Sequence, residues 1–135
     1  METTLDWKKK SYAELLSPLV LQFDRSKNCY TRYLTNQHFL HAQTLKKANT
    51  EILRLLMQNT FLIPENLMND ALKIIDHLDV WFEQYELLVK EQNPKAHDKF
   101  VFYRPAESIE FPKESEANFR REKERMKNEL APSKS

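Results

Sequence analysis

The chain has 135 residues, 41% of them hydrophobic and 30% charged, with a net charge of +1 and no glycine. This is one domain's worth of chain, and its charge balance supplies no whole-molecule field to attract nucleic acid or anionic lipid. Without glycine there is no Walker phosphate loop, no Rossmann dinucleotide turn, no G-x-S-x-G nucleophile elbow and no EF-hand, since each motif contains glycine at a position where the backbone needs it.

Residues 1–10 read as a polar lead-in with two apolar anchors, Leu5 and Trp7. Ser11-Tyr12-Ala13-Glu14 has the form of a capping box, which predicts a helix start at residue 11. Ser17-Pro18 follows within two turns. A proline there removes one helical hydrogen bond and clashes with the carbonyl of Glu14, so a kink or a restart is expected near 17–18. From Pro18 onward, Leu19, Phe23, Tyr30, Tyr33, Leu40, Ala48, Ile52 and Leu55 recur at spacings built from threes and fours. That is the seam of one long amphipathic helix reaching residue 59, roughly 42 residues or about 63 Å. Gln37 and Thr44 are polar residues on the same seam.

Asn59 to Pro64 breaks the pattern, because the residue before a proline is pushed out of helical geometry. Leu67, Ala71, Ile74, Leu78, Trp81, Tyr85 and Leu88 then mark a second helix over 65–92, stopped by Asn93-Pro94. Pro94, Pro105 and Pro112 punctuate the next segment, which also carries Phe100-Val101-Phe102-Tyr103 and Phe111. A lone strand is unstable, so an extended clip with its rings laid on the helices is expected. Residues 114–129 read as a charged helix with Phe119 and Met126 on one side and a Glu116–Arg120 pair at i,i+4. Residues 131–135 read as a frayed tail. The expected fold class is all-α, a single helical domain over 1–130 built as a long antiparallel hairpin with a Pro/aromatic clip and a short C-terminal helix.

In such a hairpin the second helix runs out beside residue 32 of the first, which leaves about 20 Å of the first helix without a partner. The cover could be the clip and last helix in cis, a bend at Pro18, a second copy, or another protein. An intermolecular cover makes Leu16, Leu19, Val20, Phe23, Tyr30 and Tyr33 the candidate interface.

Chemistry-bearing patterns are sparse. His38 and His41 share a helix face, and the expected register puts Glu83 and Glu86 across from them, an arrangement that could hold a divalent metal. The competing reading is a set of surface His–Glu pairs. Asp76-His77-x-Asp79 reads as a solvated face, and Trp81, Phe82 and Tyr85 as core. Cys29 is the only cysteine, so it forms no internal disulfide and reads as inert packing. The N-terminal residues lack a signal-peptide pattern and no apolar run approaches bilayer length. A cytoplasmic location is expected, with no cofactor, no membrane contact and no nucleic-acid ligand.

Arg32 and His38 resemble the R-x(4–6)-H motif of HEPN ribonucleases, helical bundles that cut RNA at a composite dimer site. The resemblance implies Arg32 and His38 as catalytic residues. Tyr33 stands where that family usually has a polar residue. A broader order of motifs also looks like a group of small bacterial all-helical proteins. It runs Leu62-Ile63-Pro64-Glu65, His77-x-Asp79-x-Trp81, Phe100-Val101-Phe102, Phe111-Pro112 and Phe119-Arg120. That resemblance implies a bacterial or phage source and a helical hairpin with a Phe-Pro clip, and it carries over no catalytic residue. The function expected from the whole is a non-enzymatic helical interaction or assembly protein, with a partner protein or a second copy as ligand. The alternatives are the HEPN-like ribonuclease and the metal-binding bundle.

Overall fold

Thr3 caps the first helix, α1 (Thr4–Lys10), by accepting the Asp6 amide on its hydroxyl at 3.1 Å. The computed structural model describes residues 3–102 and 111–131, and over these the chain is all-α. The capping box at Ser11 is not used. Helical backbone already runs through Lys10 and Ser11, and the Ser11 hydroxyl is buried, donating to the Leu62 carbonyl at 2.6 Å. Nor does the chain restart at Ser17-Pro18. Residues Ser11–Leu16 form a π-helix, in which the Ser17 amide donates to the Tyr12 carbonyl, and α2 (Ser17–Asn36) continues from it with right-handed helical backbone at the junction. One extra residue in the turn makes room for the proline ring, so the widening absorbs what a kink would otherwise relieve.

The single helix expected over 18–59 is two helices. Gln37 turns left-handed, with φ at 54°, His38 is extended, and α3 (Phe39–Gln58) folds back along α2. A residue with a Cβ pays about 1–2 kcal/mol in that region. The surrounding hydrogen bonds hold it there: the Gln37 amide donates to the Tyr33 carbonyl at 2.6 Å, and its own carbonyl accepts from the Phe100 amide at 2.7 Å. Folding back buries two apolar stripes at once, where one straight helix would leave much of its stripe in water.

Two short 3-10 turns, Thr60–Leu62 and Glu65–Leu67, make the corner into α4 (Met68–Gln92). The first helix braces this corner, with the Trp7 indole donating to the Phe61 carbonyl at 2.9 Å. Asn93 ends α4 in left-handed geometry, a role that asparagine tolerates in place of glycine. The last helix is α5 (Lys113–Leu130). Tyr103 and Pro105 of the expected clip, and the tail beyond Ala131, lie outside the described residues.

Two apolar cores stack along the bundle. The first joins Leu16 of the π segment, Leu19 and Phe23 of α2, Ile52 and Leu56 of α3, Ile74 and Leu78 of α4, and Phe119 and Met126 of α5. The second joins Cys29 and Tyr33, Phe39 and Leu45, Trp81, Tyr85 and Leu88, and Phe100. At the first core, α5 packs on α2 and α4 and on the π segment. At the second, the extended residues 98–102 fill the equivalent place. The Tyr33 hydroxyl donates to the Phe100 carbonyl at 2.5 Å and accepts from the Phe102 amide at 2.8 Å. The clip forms no strand among the described residues. Its ladder is one antiparallel bridge between His38 and Lys99.

Candidate interaction face

The interface expected from sequence is interior. Leu16, Leu19, Val20, Phe23 and Tyr33 are buried by the chain itself, and of the six only Tyr30 is exposed. The overhang vanishes because the break at Gln37 brings α3 onto α2, and α5 then covers the remaining stripe. Two ion pairs at 2.8 Å, Arg120–Asp24 and Lys27–Glu116, tie α5 to α2 across that cover.

The two constellations weighed for chemistry do not assemble. The Arg32 guanidinium donates to Cys29 Sγ at 3.4 Å, while His38 stacks on His41 and meets the edge of His97. Glu86, expected opposite the histidines, instead pairs with Lys46 at 2.8 Å. Among the described residues no group of three or more His, Cys, Asp or Glu side chains is placed to hold a metal ion. His77, read as part of a solvated face, is buried with its ring against Phe111 at 5.0 Å, while Asp76 and Asp79 are exposed. Trp81 and Tyr85 are core.

What the fold leaves open is the outer side of α3 and α4. The clip and α5 cover α2 and α4, and among the described residues no further helix lies over the α3–α4 pair. The Lys46–Glu86 ion pair locates this side on both helices. On α3, Lys46, Thr50, Leu53 and Met57 follow at spacings of four and three, and on α4 Leu72, Asp79 and Glu86 follow at sevens. Leu53 and Ile75 are half-buried against the first core and form the floor. At the corner end three large apolar side chains stand in solvent: Met57 at 59% exposure, Phe61 at 72% and Leu72 at 54%. Isolated exposed apolar residues are ordinary, but these three all lie in or within two helical turns of the corner, where a contact surface can form.

The other end of the face is mixed, with the exposed Leu87 beside a set of charges. The Lys46 ammonium lies over the Tyr85 ring at 5.1 Å while bonded to Glu86. Burial pushes the Tyr85 hydroxyl up to about 12, with the Glu86 charge adding to it. On α3, hydrogen bonds from Arg54 hold the Glu51 carboxyl below its usual range. The helices carry opposite charge: α3 has three cations against one acid, and α4 six acids against two lysines.

Sequence reasoning missed Met57, Phe61 and Leu72. The available signal was that Met57 and Leu72 are apolar residues off the core periodicity, which uses Ile52 and Leu55 on one helix and Ala71 and Ile74 on the other. No helix among the described residues is long and apolar enough to cross a membrane. Comparison with protein-family models, with curated proteins and with solved structures finds no match.

Proposed function

We propose that this protein is a non-enzymatic helical interaction protein that works through the outer face of α3 and α4. The observation that carries the reading is the exposure of Met57 on α3, Leu72 on α4 and Phe61 in the turn between them, at the corner of the helix pair that the described chain leaves uncovered. Apolar patches of this kind on a well-packed domain mark contact surfaces, because their burial against a partner is favourable at about 25 cal/mol per Å2. The rest of the fold supports a rigid presenter. The core is dense, its breaks are short, and its corner is braced by Trp7 and Ser11.

The test is a surface substitution that spares the fold. The pair Phe61→Asp and Leu72→Asp should leave stability within about 1 kcal/mol, as exposed positions do. Association, read as mass by light scattering, should be lost. Association unchanged in the folded variant overturns the reading.

A further inference from the structure

We infer that the partner seated on the α3–α4 face is a second copy of this chain, related by a two-fold axis parallel to the helices so that α3 of each copy lies over α4 of the other. This rests on the interaction reading above and adds the partner. The evidence is charge complementarity and its spacing. Lys47 and Arg54 stand seven residues apart on α3 and are exposed, with Glu51, which Arg54 bonds, as the one acid of that helix between them. Asp76 and Glu83 stand seven residues apart on α4 and are exposed, with Asp79 between them. Seven helical residues span about 10 Å, so the two rows match in length.

Height matches as well as length. The helices are antiparallel, with Phe39 stacked on Tyr85 near one end and the corner at the other. The Lys46–Glu86 pair sets their register. Lys47 therefore stands level with Glu83 to Glu86, and Arg54 level with Asp76 to Asp79. An axis parallel to the helices preserves height and exchanges the helices side to side. It sets each basic row on the partner's acidic row twice over, and it brings both copies of Met57, Phe61 and Leu72 to the same end. An axis across the helices would set α3 on α3 and α4 on α4, with like charges opposed. Closed two-fold pairs of this self-complementary kind are the commonest soluble assemblies.

Charge reversal tests the arrangement. The wild-type chain should sediment as a dimer at roughly 100 µM in low salt, and the dimer should weaken as salt rises from about 0.05 to 0.5 M. The double variant Lys47→Glu/Arg54→Glu should lose roughly tenfold or more in self-affinity, and so should Asp79→Lys/Glu83→Lys. Mixing the two variants should restore a heterodimer, because each reversed row then meets its opposite. A wild-type chain that stays monomeric, or a mixture that fails to pair, overturns the inference. A photoreactive p-benzoyl-phenylalanine in place of Leu72, activated in cells that express the chain, separates the two readings. An adduct with the chain itself supports the dimer. An adduct with another protein only overturns the dimer and leaves the interaction face standing, and no adduct overturns both.

Discussion

Around Phe23 the bundle is closed by a helix, and around Phe100 it is closed by extended chain. The first closure uses α5, which satisfies its own backbone and brings Phe119 and Met126 into an otherwise largely aliphatic core. Its remaining ties are side-chain pairs, such as Lys8–Glu129 at 2.7 Å at the surface and the buried Ser115 with Asp70 at 2.8 Å. Among the described residues the second closure has no internal backbone ladder, so its extended part takes hydrogen-bond partners from the helices and the Gln37 break. Tyr33, Gln37, Phe39, Leu40 and Gln92 are among those partners. Its core is aromatic, with Phe100 against Phe39 at 5.1 Å and Phe102 stacked on Trp81 at 5.3 Å. An extended segment can close a helical groove only where the helices supply both rings and hydrogen-bond partners. The two halves should therefore fail in different ways.

The largest effects come from emptying either core. Phe119→Ala and Phe100→Ala each remove a fully buried ring and should each cost about 3–5 kcal/mol in urea denaturation. Hydrogen exchange should then divide them. Phe100→Ala should speed exchange in α3 near Phe39–Leu45 and in α4 near Trp81–Leu88, while the amides of Leu16–Phe23 keep their protection. Equal loss in both halves would mean that they form one cooperative unit.

Next comes Tyr33→Phe, which keeps the ring and deletes both clip hydrogen bonds. About 1–3 kcal/mol should be lost, because the Phe100 carbonyl and Phe102 amide are left without that partner. A cost below a few tenths of a kcal/mol would mean that ring packing alone holds the clip.

Alkali should loosen the clip half first. Burial raises both Tyr33 and Tyr85, the latter to about 12. A raised folded value stabilises the protonated form. That contribution is therefore fully present below pH 10, the ordinary tyrosine value, and is lost as pH rises through about 12. Near-UV circular dichroism followed with tyrosinate absorbance should show the aromatic signal collapsing within that window, ahead of the helical signal. Simultaneous loss of both would sink the distinction.

The smallest effect has the opposite sign. Gln37→Gly should stabilise by about 0.5–1 kcal/mol, since glycine occupies φ of 54° without a Cβ penalty and the unfolded chain gains entropy in partial offset. A destabilised variant would show that the Gln37 side chain itself holds the turn.

Much of this architecture could be read in the residues. The second stripe, from Ala71 to Leu88, is one face of α4, with Leu67 in the turn before it, and Asn93-Pro94 ends it. The Phe119–Met126 side of the last helix is buried, and Glu116 pairs with Arg120 at 2.8 Å. The break at Gln37 was not legible, because neither glycine nor proline marks it. Its trace was Gln37 standing polar on an apolar seam, together with an implied helix far longer than an ordinary domain uses. The candidate interface moved with that break. Residues assigned to a partner became core, and the open face passed to side chains off the main periodicity.

By itself the sequence determined that this protein is all-α and where its apolar stripes run, since these follow from spacing and composition along one element at a time. Only the tertiary structure decided which stripes face one another. A helical stripe specifies that a face must be buried, but not what buries it, and one left-handed residue at Gln37 redirects every later contact. That choice put Phe23 under α5 and left Met57, Phe61 and Leu72 in solvent.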